Sequence, residues 1–113
     1  MPVLNVLDED THIIVKFVDS QILDEAYARK LGMQLCQIAK DSDGKDLIVN
    51  FDKVKFIASS MIGQMVQLRN TCKKLGVKLK ICCLRPEVAE SISLMNLDKI
   101  LNIFGCESTA KSG

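Results

Sequence analysis

The sequence predicts an α/β fold: a small sandwich around a mixed four- to five-stranded sheet, opened by a β-hairpin and carrying three to four helices. Three observations predict it. Apolar residues recur at steps of three and four in separate segments, the stripe of a helix packed on one side. Between these segments lie short runs rich in Val, Ile and Leu that lack that period. From Asp46 onwards the two kinds of segment alternate, which implies parallel strands joined by right-handed crossovers. The 113 residues suit one domain, 1–113, and a chain of this length buries roughly two-thirds of its unfolded surface.

The elements follow in order. Residues 3–7 and 12–18 are β-prone, and Asp8-Glu9-Asp10 between them makes an acidic turn, so a hairpin is expected. Leu23, Tyr27, Leu31, Leu35 and Ile38 form the first helical stripe, with Asp24, or a residue just before it, placed to cap the free amides at its start. Turn-forming residues 40–44 end it. Residues 46–51, Asp-Leu-Ile-Val-Asn-Phe, read as a strand buried on both faces. Phe56-Ile57 turns the chain back to the core, and Met61, Met65, Leu68, Cys72 and Leu75 mark the second helix, closed by Gly76. Residues 78–83 alternate as a strand, with Lys78 and Lys80 expected on a solvated outer face. Pro86 opens a third helix whose inner face carries Val88, Ile92 and Met95, and Asn96 suits the left-handed residue after it. Residues 97–104 are expected to form a turn and a short edge strand. The tail, 105–113, is polar and is expected to fray unless Ser108 caps a last half-turn.

Composition excludes several classes of function. Apolar residues make up 48% and charged residues 26%, an ordinary globular balance. With a net charge of +1 and no basic face, no nucleic-acid partner is expected. No run approaches the ~20 apolar residues that cross a bilayer, so no membrane partner is expected either. Five cysteines, an odd number without a leader peptide, indicate reduced thiols in a cytoplasmic protein. There is one histidine and no CxxC pair, so neither a metal nor a cofactor is expected. Each cysteine falls in an apolar pattern and reads as a small buried hydrophobe. On a strand, vicinal Cys82 and Cys83 would point to opposite faces.

The stretch "FIASSMIG", residues 56–63, places two hydroxyls where an irregular segment feeds the second helix. One serine there serves as a helix cap, worth ~1 kcal/mol. A serine nucleophile would want flanking glycines and a histidine base, and a nucleotide-binding turn would want more than Gly63; no catalytic residue and no enzyme is expected. A hydroxyl at a solvent-facing helix start is, in contrast, a fit place for phosphate. Met61 reads either as part of the core stripe or as part of an apolar docking patch.

From about Val3 to Phe104 the chain resembles the anti-sigma-factor antagonist family, the STAS domain, of bacteria. Leu23-Asp24 matches the family's entry into its first helix, and residues 47–51 match its apolar strand. Ala58-Ser59-Ser60-Met61-Ile62-Gly63 matches its Asp-Ser-Ser-Gly-Leu-Gly stretch, with Ala58 in place of the aspartate and Met61 in place of the first glycine. "Lys-Leu-Gly" at 74–76, the Pro86 helix and "Leu-Met-Asn-Leu" at 94–97 follow in the family's order. The resemblance implies a regulatory module that binds an anti-sigma factor, itself a serine kinase that binds ATP. That kinase would phosphorylate the second serine, Ser60 here, with Ser59 the alternative, and a phosphatase would reverse the mark. It also implies a partner-binding surface of Asp24, Ser59, Ser60, Met61 and Gln64. The alternative is a STAS scaffold that binds partners without being phosphorylated.

Overall fold

An acidic turn starts the architecture. Glu9 N–H donates to the His12 carbonyl at 2.8 Å, and β1 (Leu4–Asp8) pairs antiparallel with β2 (His12–Phe17) in register Leu4↔Phe17 to Asp8↔Ile13. The structure, a computed structural model, describes residues 4–112; Val3 and Gly113, assigned above to the first strand and the tail, lie outside them. The remaining strands are β3 (Gln21–Ile22), β4 (Asp46–Asn50), β5 (Phe56–Ile57), β6 (Leu79–Cys82) and β7 (Ile103–Phe104). A mixed five-stranded sheet runs β1-β2-β4-β6-β7, parallel from β2 onwards. A separate two-stranded parallel ladder joins β3 to β5; it is too short to show any period in the sequence.

Strand alternation divides the sheet into two faces. Val15, Phe17, Leu47, Val49, Leu79 and Ile81 point to one side, where they pack on α1 (Glu25–Lys40), α2 (Ser59–Leu75) and α3 (Pro86–Leu94). Phe17 and Phe51 meet there at 4.8 Å between ring centroids. Ile14, Ile48 and Cys82 point to the other side, covered by α4 (Glu107–Ser112) through Ala110. Residues 46–50 are thus enclosed on both faces, as their unbroken apolar run requires.

Four expectations are corrected. The tail is a helix from Glu107, so Ser108 lies inside it and caps nothing. Lys80 is 2% exposed rather than solvated, because α4 lies over it. Its ammonium donates to the Ala110 carbonyl at 2.7 Å, pairs with Asp46 at 3.1 Å and lies 5.9 Å from the centre of the Phe104 ring. A buried ammonium needs such partners to offset lost hydration. Leu23 and Met95 were placed on inner faces, but both are exposed, Leu23 by preceding α1 and Met95 by ending α3. Cys106 is exposed as well, and the other four cysteines are buried or half-buried.

Both long helices end as their sequences dictate. Asp24 Oδ2 accepts the Tyr27 amide at 2.8 Å to cap α1, and Gly76 adopts φ 73 after α2, a conformation glycine takes at little cost. The two helices pack where Gly32 of α1 meets Gln64 of α2; a Cβ on Gly32 would stand 2.9 Å from the Gln64 Cβ.

Two stability measurements check this packing. Gly32→Ala gains helix propensity of at most ~1 kcal/mol but forces α2 outward, and overpacking costs about 1–3 kcal/mol; urea melts should show a net loss. Lys80→Ala should cost roughly 2–3 kcal/mol by stranding the Ala110 carbonyl and Asp46, and Lys80→Met, which refills the volume, should cost less.

Candidate functional site

The candidate site is the place where two helices begin side by side. In the β3–β5 ladder Ile22 is paired with Ile57, and Ala58 N–H donates to the Ile22 carbonyl at 2.9 Å. Adjacent strands lie ~4.8 Å apart. Asp24 and Ser59, each two residues past that pair, therefore come out on the same edge, one starting α1 and the other α2.

Ala58 is the residue before α2, extended at φ −86, ψ 161, and its methyl group offers no capping bond. Ser59 and Ser60 are the first two residues inside the helix, so neither serine caps it, contrary to the capping expectation. The ladder explains the shift, because pairing to Ile22 holds Ala58 extended until the helix starts. Ser59 is exposed and Ser60 half-buried. Neither hydroxyl bonds to another described residue. The amides of Met61 and Ile62 share the Ala58 carbonyl at 3.0 and 3.4 Å. No acidic residue lies in the first turn, while Lys73 and Lys74 lie in the last. The start of α2 thus keeps about half a positive charge with no carboxylate beside it on the helix.

Gln64 is four residues after Ser60 and shares its face, half-buried over Gly32. It borders a groove of about 320 Å³ between α1 and α2, lined also by Met33, Cys36 and Thr71. Met61 is another matter. Its side chain is 0% exposed and packs in the core with Met65, Leu68 and Cys72, so it lies in the apolar stripe and not on the surface where a partner was expected. Burying such a side chain contributes about 1.5–3 kcal/mol to folding.

Two residues that pattern reading sent to the core border the site instead. Leu23 and Phe56 are 57% and 48% exposed, one immediately before Asp24 and the other in β5. Leu23 follows, and Phe56 begins, a strand only two residues long, too short to carry a signal in the sequence. Behind them, the Tyr27 hydroxyl donates to Asp19, tying the β2–β3 loop to the first turn of α1. Burial, reinforced by this carboxylate, pushes the Tyr27 phenol up to about 12.

The only histidine, His12, is at the other end of the sheet, where Nε2 meets the Lys111 carbonyl at 3.2 Å. No imidazole therefore stands by the serines. Among the described residues no group of three or more His, Cys, Asp or Glu side chains is placed to hold a metal ion, and no helix is long and apolar enough to cross a membrane.

The family profile of the STAS domain matches residues 3–110. The chain belongs to the STAS domain family. Solved STAS structures share its fold at low identity. An anti-sigma-factor antagonist (STAS) domain protein from Planctomyces limnophilus superposes with a TM-score of 0.83 at 14% identity, covering 95% of this chain and 93% of that one. A Thermotoga maritima protein assigned to the anti-sigma factor antagonists gives 0.81 at 19% identity, covering 96% and 92%. The anti-sigma factor antagonist SpoIIAA of Bacillus gives 0.75 at 12% identity in its unphosphorylated form, covering 95% and 91%, and it also matches in its phosphorylated form. No curated protein matches this STAS domain in sequence.

The one tyrosine of the chain makes its ionisation directly readable. The folded protein holds the Tyr27 proton more tightly than the unfolded chain, whose phenol titrates near pH 10. The associated stability is therefore complete below about pH 10 and is lost as pH rises through about 12. Tyrosinate absorbance should stay low at pH 10 and rise near 12, and Asp19→Asn should move the rise to lower pH.

Proposed function

We infer that this STAS domain is a regulatory binding module of the anti-sigma-factor antagonist type, working without catalysis of its own. Its partner would be an anti-sigma factor that is also an ATP-binding serine kinase, in the cytoplasm. Docking uses the edge where α1 and α2 begin: Asp24, Ser59, Ser60 and Gln64, with Leu23 and Phe56 as the apolar part of the contact. Phosphorylation of Ser60 switches the module off, and a phosphatase resets it.

One observation carries this reading. The Ser60 hydroxyl has no partner among the described residues and stands at the start of α2, whose own first turn carries no acid. A phosphate there adds about −1.5 to −2 charges at neutral pH and meets the positive end of its own helix. The modified domain therefore stays folded, and the change is felt at the partner. An anion forced into a packed contact beside Leu23 and Phe56 costs a few kcal/mol unless it is paired. Each ~1.4 kcal/mol is tenfold in affinity, so binding weakens about a hundredfold without rearrangement of the fold. That a phosphorylated form of SpoIIAA matches the same fold supports the compatibility.

The test pairs mass with affinity. Incubation with the anti-sigma factor kinase and ATP should add one phosphate, lost in Ser60→Ala and kept in Ser59→Ala. Ser60→Asp should bind the kinase about a hundredfold more weakly by calorimetry, with an unchanged melting temperature. Binding as tight as that of the parent would overturn the switch. Tight binding by a chain that never accepts phosphate would favour a scaffold role.

A further inference from the structure

Three of the five thiols meet where the sheet passes under α4. Cys82 ends β6 with its side chain on the α4 face, fully buried against Ile14, Ile48 and Ala110. Cys83 should point the other way if the strand continued. Its backbone instead turns to φ 63, a left-handed conformation uncommon outside glycine and asparagine. The turn brings Cys83 onto the Cys82 side, where it packs against the same cluster, as Phe104 does. The expectation of opposite faces for this vicinal pair is thereby overturned.

Cys106 reaches the pair from the neighbouring strand. Cys82 is in register with Phe104 across β6 and β7, and Cys83 N–H donates to the Phe104 carbonyl at 3.3 Å. Cys106 follows two residues after Phe104, in the turn between β7 and α4. The Cys82 thiol has both Cys83 and Cys106 for neighbours, so the three sulfurs share one corner of the sheet.

The three sulfurs differ in chemistry. Burial pushes the Cys82 thiol up, and Cys83, Glu107 and Cys106 nearby add to the effect; Cys82 is an inert member. Cys106 is exposed, with its sulfur 3.2 Å from the Thr109 hydroxyl. That hydroxyl, followed by the Thr109 amide, holds the Cys106 thiol below its ordinary value. Cys83 is half-buried.

We propose that Cys106 and Cys83 form a peroxide-responsive thiol pair, Cys106 as the oxidised residue and Cys83 as the one that closes the disulfide. The Cys106 thiolate attacks one oxygen of a hydroperoxide, the O–O bond breaks, and the other oxygen leaves and is protonated to water or alcohol. Sulfur has then lost two electrons to the peroxide and is a sulfenic acid. The Cys83 thiolate attacks that sulfur, the S–S bond forms, and the sulfenic oxygen departs with a proton as water. The product ties the turn before α4 to the end of β6. Ser60 plays no part in this chemistry.

The experiment exposes the full chain to hydrogen peroxide at neutral pH and follows intact mass and peptide maps. The parent should lose two hydrogens and yield a Cys83–Cys106 cross-link. In Cys83→Ser the oxidised Cys106 should persist and be captured by dimedone. In Cys106→Ser the loss of two hydrogens should slow by about tenfold or more, while Cys36→Ser should behave as the parent. Circular dichroism of each variant separates lost chemistry from lost fold. A Cys82–Cys83 link, equal rates in Cys106→Ser and the parent, or no dimedone adduct at Cys106 in folded Cys83→Ser would each overturn the proposal.

Discussion

The bond from the Ala58 amide to the Ile22 carbonyl, at 2.9 Å, is the constraint on which the candidate site depends. It belongs to a ladder of only two residue pairs, yet it sets where two helices begin. Together with the Lys55 amide on the Ser20 carbonyl at 2.8 Å, it fixes the segment between β4 and α2 beside the strand that leads into α1, so that Asp24 shares an edge with the serines. The five-stranded sheet supplies rigidity, since its parallel strands are enclosed on both faces. The small ladder supplies position. Such a division of labour is common where functional residues ride on irregular segments held by a regular scaffold.

The start of α2 is electrostatically unusual for a long helix. Most helices gain from an acid or a capping side chain in the first turn; here Ala58 offers neither, and the first turn carries no acid. In the family pattern an aspartate precedes the serines, and its replacement by Ala58 leaves the helix end more receptive to an external anion. The second departure, Met61 for glycine, is absorbed by the core, where the side chain is wholly buried. Neither change disturbs the edge itself.

Much of the fold could be read from the sequence because its long elements carry strong periods. The hairpin, the three principal helices, the doubly buried 46–50 strand, Asp24 as a cap and the left-handed Gly76 and Asn96 all follow from local chemistry. The failures have a shared cause, contacts distant in sequence. Lys80 looked solvated because nothing within its strand announces that α4, some thirty residues on by sequence, lies over it. Leu23 and Phe56 looked internal because hydrophobicity alone does not distinguish a core position from an exposed one beside or within a two-residue strand. One of the serines looked like a cap because the ladder that delays α2 is invisible to pattern. At the site, Asp24, Ser59, Ser60 and Gln64 are where a partner could reach them, and Met61 is not.

The missing side chain at Gly32 has a consequence for observing the domain at work. The Gln64 side chain fills that notch and stands one turn below Ser60 on the same flank of α2. Its primary amide is thus a native gauge of the distance between the two helices. Any event that levers the tip of α2 away from its neighbour registers there as a change in nuclear resonance frequency, with no label attached to the edge where the two helices begin.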